Sequence, residues 1–206
     1  MTADETGTAD ETMTAAETGT AAGTGTADET GTADETGTAD ATVSVAEFDR
    51  IAAEDASELL RPCCASTRWR AALVGARPLH TLTNLSRVSD ALIATLGVVE
   101  LAEALSAHPR IGDRTTGSDR ESAWSRQEQS ATAALPTSVR QQLLQANRAY
   151  ERRFDQVFLI CATGLSTEQM LQALQNRMAN PVLVEQQVVR VELAKIVRLR
   201  LAKAFR

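Results

Sequence analysis

Aromatic residues are scarce here: two Trp, one Tyr and four Phe make up 3% of 206 residues. Grooves for single-stranded nucleic acid stack bases on aromatic rings along a basic track. Seven scattered rings argue against that class, and so does Lys, with only Lys195 and Lys203 beside 19 scattered Arg. Cysteine is equally thin. Cys63, Cys64 and Cys161 are an odd number without metal-ligand spacing, which excludes a disulfide framework and a zinc site and points to a reducing compartment. No apolar run approaches the length of about 18 residues that a membrane helix needs. The first residues carry neither a basic start nor an apolar core, so no secretory signal is visible. The last three, Ala204-Phe205-Arg206, are not a peroxisomal Ser-Lys-Leu address. The expectation is a cytoplasmic protein with no membrane, nucleic-acid or metal partner.

The formal charge of −6 conceals two unlike segments. Residues 1–43 hold ten of the 27 acids and no Lys or Arg, leaving 17 acids against 21 bases in residues 44–206. That stretch reads as seven six-residue units. Thr2-Ala3-Asp4-Glu5-Thr6-Gly7 is the first, and units starting at Thr26 and Thr32 copy it. Almost nothing in it is larger than Thr or Glu, so burial cannot offset a backbone entropy cost of about 1–2 kcal/mol per residue. A β-solenoid reading fails because no bulky aliphatic recurs once per turn. Residues 1–43 are therefore expected to be a disordered acidic tail, dispensable for activity, and 44–206 a separate, mildly basic domain.

In that domain apolar residues recur every three or four positions and no period-2 strand appears, so the predicted class is all-α. The pattern gives about eight helices in one compact bundle. Short pieces at 44–52 and 55–61 end before Pro62. A helix capped by Ser66 runs through Trp69 and Leu73 to Gly75. One follows at 83–96 with Leu85, Val88, Leu92 and Leu96 on one face, and another at 98–107 with Val99, Ala102 and Leu105 inward. Residues 109–118 read as a loop with Pro109, Gly112 and Gly117. Helices are then expected at 119–134, at 137–159, after a Ser166 cap, and at 182–204. In the last of these Val189, Leu193, Ile196 and Leu199 share turns with Val184, Val188, Val191 and Val197.

Three places hold chemistry. His108 precedes Pro109, and a residue before proline is pushed out of the helical region, so the imidazole is set at a helix end and at the mouth of a loop. The helix dipole there favours its protonated form. Ser125, Glu128 and Gln129 stand at i, i+3 and i+4 and so share one helix face. Arg200 follows Ile196 by four and lies beside the apolar stripe of the last helix. Arg198 points about 200° away from it, so at most one of the two faces the core. From spacing alone Arg200 is either a carboxylate clamp or a snorkelling surface residue. His80, in a polar loop, reads as structural or exposed, and the three cysteines read as buried thiols.

Taken in order, His108-Pro109-Arg110-Ile111-Gly112, Ser125-x-x-Glu128-Gln129, Phe158-Leu159-Ile160-Cys161-Ala162-x-Gly164, Arg177-x-x-Asn180 with Glu185, and Arg200-Leu201 resemble the signature of the OHCU decarboxylases. These act on 2-oxo-4-hydroxy-4-carboxy-5-ureidoimidazoline in urate degradation. Leu60-x-x-Cys63-Cys64-x-Ser66-x-Arg68-Trp69 and Arg77-Pro78 resemble the family's opening helices. The match spans roughly 45–206 and none of the tail. Asp155 departs from it, standing where the family usually has glycine.

The resemblance implies an all-α, cofactor-free lyase, a homodimer, whose product is (S)-allantoin. It places the catalytic pair on His108 and Glu128 and substrate binding on Pro109, Ser125, Gln129, Phe158, Leu159, Ile160 and Arg200. On this reading Glu128 orients His108 and, with the helix end, raises its pKa. A non-catalytic scaffold homologue and a lyase acting on another small ring are the alternatives. The presence of all five catalytic and binding side chains weighs against the scaffold.

Overall fold

The computed structural model describes residues 42–111, 120–129 and 137–206. All of them belong to the unit Thr38–Arg206. The acidic repeat up to residue 41, most of the 109–118 loop and the stretch before Thr137 lie outside the described residues.

Nine helices and no sheet occur among the described residues: α1 Val45–Phe48, α2 Ala53–Leu60, α3 Thr67–Gly75, α4 Leu82–Ala94, α5 Val98–Ser106, α6 Arg120–Glu128, α7 Thr137–Phe154, α8 Thr167–Arg177 and α9 Val182–Ala204. Side-chain caps set several starts. Ser66 Oγ accepts from the Trp69 amide at 3.3 Å, and Thr81 Oγ1 accepts from that of Asn84 at 3.2 Å. Ser166 and Gln169 close a reciprocal capping box at α8. No helix among the described residues is long and apolar enough to cross a membrane.

The longest helix, α9, packs chiefly on α4. Its two interleaved apolar lines divide between inside and outside. Val189, Leu193, Ile196 and Val197 are buried, whereas Val184 and Val191 are exposed and Leu199 is 36% exposed. Two charges, Glu185 and Arg200, continue the buried line and are themselves 0% exposed. Beyond Arg200 the helix end is clasped. Val43 donates its amide to Ala204 O at 3.0 Å, Arg206 donates to Val43 O at 3.1 Å, and the Phe205 ring meets Phe48 edge-on at 5.1 Å.

Burial divides into two apolar clusters. One gathers Trp69, Leu73, Leu85, Ile93, Leu101 and the inward face of α9. The other gathers Ile111, Leu143, Tyr150, Phe154, Phe158, Ile160 and Met170 around α7 and α8. Their junction is where the functional residues meet.

Two expectations are corrected. In α5 the inward residues are Leu101, Ala104 and Leu105, while Val99 is 79% exposed. The register is set by α3: Arg68 pairs with Glu100 at 3.0 Å, and Thr67 Oγ1 donates to Glu103 at 2.6 Å, turning Val99 outward. The long helix stops at Phe154 rather than 159, because Asp155 adopts φ 52° and leaves the helical region. Residues 157–162 then run without helical hydrogen bonding. The left-handed conformation also explains why glycine suits position 155. Asp155→Gly is expected to raise stability by up to about 1 kcal/mol, since the φ > 0 penalty of an L-residue outweighs the extra freedom of glycine in the unfolded chain. Urea unfolding of the two proteins checks this, and a clear loss would contradict it.

Candidate active site

His108 is delivered by the end of α5. Its amide closes on Leu105 O at 2.9 Å, and Pro109 stops the helix. The ring is 7% exposed. Nδ1 lies 2.9 Å from Ala104 O, and a carbonyl only accepts, so Nδ1 carries the hydrogen and Nε2 the lone pair. Nε2 is buried with no hydrogen-bond partner among the described residues.

The three residues of the α6 face line the same cleft as His108, together with Pro109, Phe158, Leu159, Ile160 and Arg200. The cleft is narrow, with a cavity volume of about 20 Å³. Every residue expected at the site is therefore brought together. Sequence reasoning passed over other wall residues. Ile111 and Ile196 supply apolar surface, and Cys161, expected to be a buried core thiol, is a half-buried wall residue. Burial, with smaller contributions from Glu192 and Glu128, pushes its thiol pKa up, which disfavours a nucleophilic thiolate.

Arg200 is a clamp rather than a surface residue, but its fork is closed by the protein itself. Nε donates to Glu128 Oε1 at 3.1 Å and Nη2 to Glu128 Oε2 at 3.0 Å. Nη2 also meets Ser125 Oγ at 3.1 Å, and Nη1 reaches Pro62 O at 3.2 Å. Lys203 stands 3.9 Å from Glu128 on the open side. Gln129 Nε2 donates to Pro109 O at 3.3 Å, tying α6 to the loop that follows His108. In α6 Trp124 and Ser125 are buried and the Glu128 side chain keeps 10% exposure, while the other described side chains are half-buried or exposed. The buried Trp124 and the polar contacts of Arg200 both seat this helix.

The expectations for Glu128 and for the charge of His108 are thus corrected. Glu128 is bonded to Arg200, and the imidazole is oriented by Ala104. The His108 pKa is pushed down to about 3 from an ordinary 6.5, first by burial and then by the Arg200 charge; the Ala104 bond opposes both only weakly. Folding then excludes a proton that the unfolded chain binds. The stability this residue contributes is complete above about pH 6.5 and is lost as pH falls toward about 3. His108→Asn keeps a donor for Ala104 O and removes the titration. The stability advantage of the native protein over this variant is expected to shrink by about 1.4 kcal/mol per unit as pH falls from about 6 to 4. Urea unfolding across that range checks it, and a pH-independent difference would contradict the buried neutral ring.

Among the described residues no group of three or more His, Cys, Asp or Glu is arranged to hold a metal ion.

The sequence model of the OHCU decarboxylase family matches residues 49–202. The chain belongs to that family. Decarboxylases of this kind are carboxy-lyases, and here the family's domain is the helical body. The chain is 30% identical over 158 residues to a uric acid degradation bifunctional protein of Arabidopsis thaliana, covering 75% of this chain and 49% of that protein. It is 26% identical over 126 residues to a uric acid degradation bifunctional protein of Bacillus subtilis, covering 61% and 25%. The chain thus spans half or less of the curated relatives it matches. A crystal structure of an OHCU decarboxylase in the presence of (S)-allantoin is similar at TM-score 0.61 and 31% identity, over 71% of this chain and 96% of that one. An (S)-allantoin synthase structure, at TM-score 0.61 and 18% identity over 79% and 54%, shares the fold.

Proposed function

We propose that this OHCU decarboxylase homologue converts 2-oxo-4-hydroxy-4-carboxy-5-ureidoimidazoline to (S)-allantoin without a cofactor, with His108 moving the proton. The observation that carries the reading is the buried, neutral His108, whose Nε2 has no partner among the described residues and whose ring shares a cleft with Arg200, Ser125 and Gln129.

Decarboxylation leaves an electron pair that most enzymes place in a cofactor. This substrate carries its own acceptor, the ring C=N conjugated with a carbonyl. The bond to the carboxylate breaks, carbon dioxide leaves, and the pair passes through the C=N to the ring nitrogen, which takes a proton from solvent. The ring hydroxyl gives up its proton as it becomes a carbonyl, and the neighbouring carbon gains one and becomes the stereocentre. Once the substrate carboxylate offsets the Arg200 charge that holds the His108 pKa down, its Nε2 lone pair takes the hydroxyl proton and returns it to carbon afterwards. Delivery from one wall of the cleft makes the product a single enantiomer.

Arg200 receives the substrate carboxylate in competition with Glu128, and Ser125 and Gln129 orient the ring. Pro109 and the Phe158–Ile160 segment form the wall behind it. Glu128 acts through Arg200, holding the guanidinium in place until substrate arrives. The mildly basic body favours approach of an anion. A homodimer and a cytoplasmic setting complete the proposal.

The test is to generate the substrate in place from urate with urate oxidase and the ring-opening hydrolase, then add this protein. Its absorbance is expected to decay far faster than the spontaneous rate, with matching release of carbon dioxide. Decay at the spontaneous rate would favour the scaffold alternative. Fast turnover of a different ureido ring alone would favour the other lyase.

A further inference from the structure

Behind the cleft wall lies a second buried charged cluster that touches no expected substrate atom. Arg177, the last residue of α8, is 8% exposed and does not line the cleft. Its Nε and Nη2 donate to Glu185 Oε1 at 2.8 and 2.6 Å. Nη1 donates to the Leu159 carbonyl at 2.7 Å, and the guanidinium lies 4.6 Å from the Phe158 ring centroid. Glu185 is fully buried in the first turn of α9 and also accepts from Tyr150 Oη and, at 2.7 Å, from Asn180 Nδ2.

The wall needs such a support. Residues 157–162 have neither helix nor sheet bonding, so nothing within the segment fixes where its backbone lies. Beside the Leu165 amide on Ala162 O at 3.0 Å, two side-chain bonds from outside do so among the described residues: Arg177 holds Leu159 O, and Glu192 accepts from the Cys161 amide at 2.8 Å. Both lead to α9, one through Glu185 and one directly. Glu185, Glu192 and Arg200 are seven and eight residues apart, about two turns each, and so fall near one side of the rod. One rigid helix therefore sets the wall and Arg200 relative to each other. A buried ion pair by itself is a poor source of stability. Neutralising Glu185 needs only a charge, whereas reaching Glu185 and Leu159 O together needs a planar fork.

The geometry points to Arg177 as a positioning residue for decarboxylation, acting through the Leu159 carbonyl to hold the Phe158–Ile160 wall against the substrate. The inference rests on the decarboxylase reading for its effect on rate, but its structural half stands apart from it.

Two variants test it. R177K keeps the charge opposite Glu185 and loses the fork. R177M/E185Q removes both charges, so no unpaired ion is buried, and leaves an acceptor for Tyr150 and Asn180. Three readouts are taken on the full chain: melting temperature, amide hydrogen exchange, and kcat and KM on freshly generated substrate. R177K is expected to melt close to the native protein. Its kcat/KM is expected to fall about 100-fold, the usual effect of misplacing a substrate by about an ångström. Exchange at Ile160–Ala162 is expected to rise on the order of tenfold, with α3 and α4 unchanged. R177M/E185Q is expected to fold and to show the same losses. Either variant with native kcat/KM and native exchange at 160–162 would overturn the proposal, and rescue of both stability and activity by R177K would reduce Arg177 to a counter-ion. Should the native protein not accelerate decarboxylation, the functional reading fails, and the exchange data still decide whether Arg177 holds the wall.

Discussion

His108→Asn is expected to lower the decarboxylation rate by about 10²–10⁴-fold, the usual effect of removing a proton-transfer group, while the protein stays folded. Asparagine suits the test because of which nitrogen it imitates. Its amide can occupy the position of Nδ1 and donate to Ala104 O, 2.9 Å from that nitrogen in the native protein. It has nothing in place of Nε2, which has no partner among the described residues in a ring that lines the cleft. The variant keeps the end of α5 and deletes the proposed base alone. Stopped-flow absorbance of fresh substrate reads the rate, and near-ultraviolet circular dichroism checks the packing around Trp124. A folded variant with more than about a tenth of native activity would move the base to another group, and Glu128 would be the first to examine.

Glu128→Leu is expected to cost about 3–5 kcal/mol of stability, because it leaves the Arg200 guanidinium buried without its carboxylate. Arg200→Met is expected to cost less. The Glu128 side chain keeps 10% exposure, and Lys203 stands 3.9 Å away to meet it. The double variant E128L/R200M removes both charges and is expected to recover much of the loss, since well-packed apolar replacements of a buried pair are often neutral. None of the three is expected to decarboxylate at more than a small fraction of the native rate, because Arg200 is the cleft's arginine and Glu128 keeps it in place. Guanidinium unfolding gives the energies, and the cycle gives the coupling. A loss below about 1 kcal/mol for Glu128→Leu would mean that α6 is seated by something other than this pair.

Local signals were legible because they act within one turn. Ser66 and Ser166 cap their helices as read, and Pro109 stops α5 so that His108 closes it. Ser125, Glu128 and Gln129 share a face because i, i+3 and i+4 always do, and all three line the cleft. What was misread depends on partners distant in the chain. The Glu128–Arg200 bond spans 72 residues, and no periodicity reports it. The Glu128–His108 pairing that the family resemblance implies takes no account of it. The same distance hid the Arg200 charge from His108, so a helix-end argument raised a pKa that burial lowers. The end of α7 escaped because Val157, Phe158 and Ile160 continue an apolar rhythm past Asp155, and a positive φ leaves no hydrophobic trace. The Arg177 cluster did leave one. Glu185 and Arg200 occupy the stripe that Val189, Leu193 and Ile196 define, and a charge in such a stripe marks a buried partner.

The central claim is that this cleft protonates one face of a decarboxylated ring. Circular dichroism of the product tests it most directly, with urate, urate oxidase and the ring-opening hydrolase supplying substrate to the native protein and to His108→Asn side by side. The account predicts rapid growth of the (S)-allantoin signal with the native protein, and a slow, optically silent product with the variant. Racemic allantoin formed at the spontaneous rate by the native protein, or an undiminished (S) signal from the variant, would contradict it.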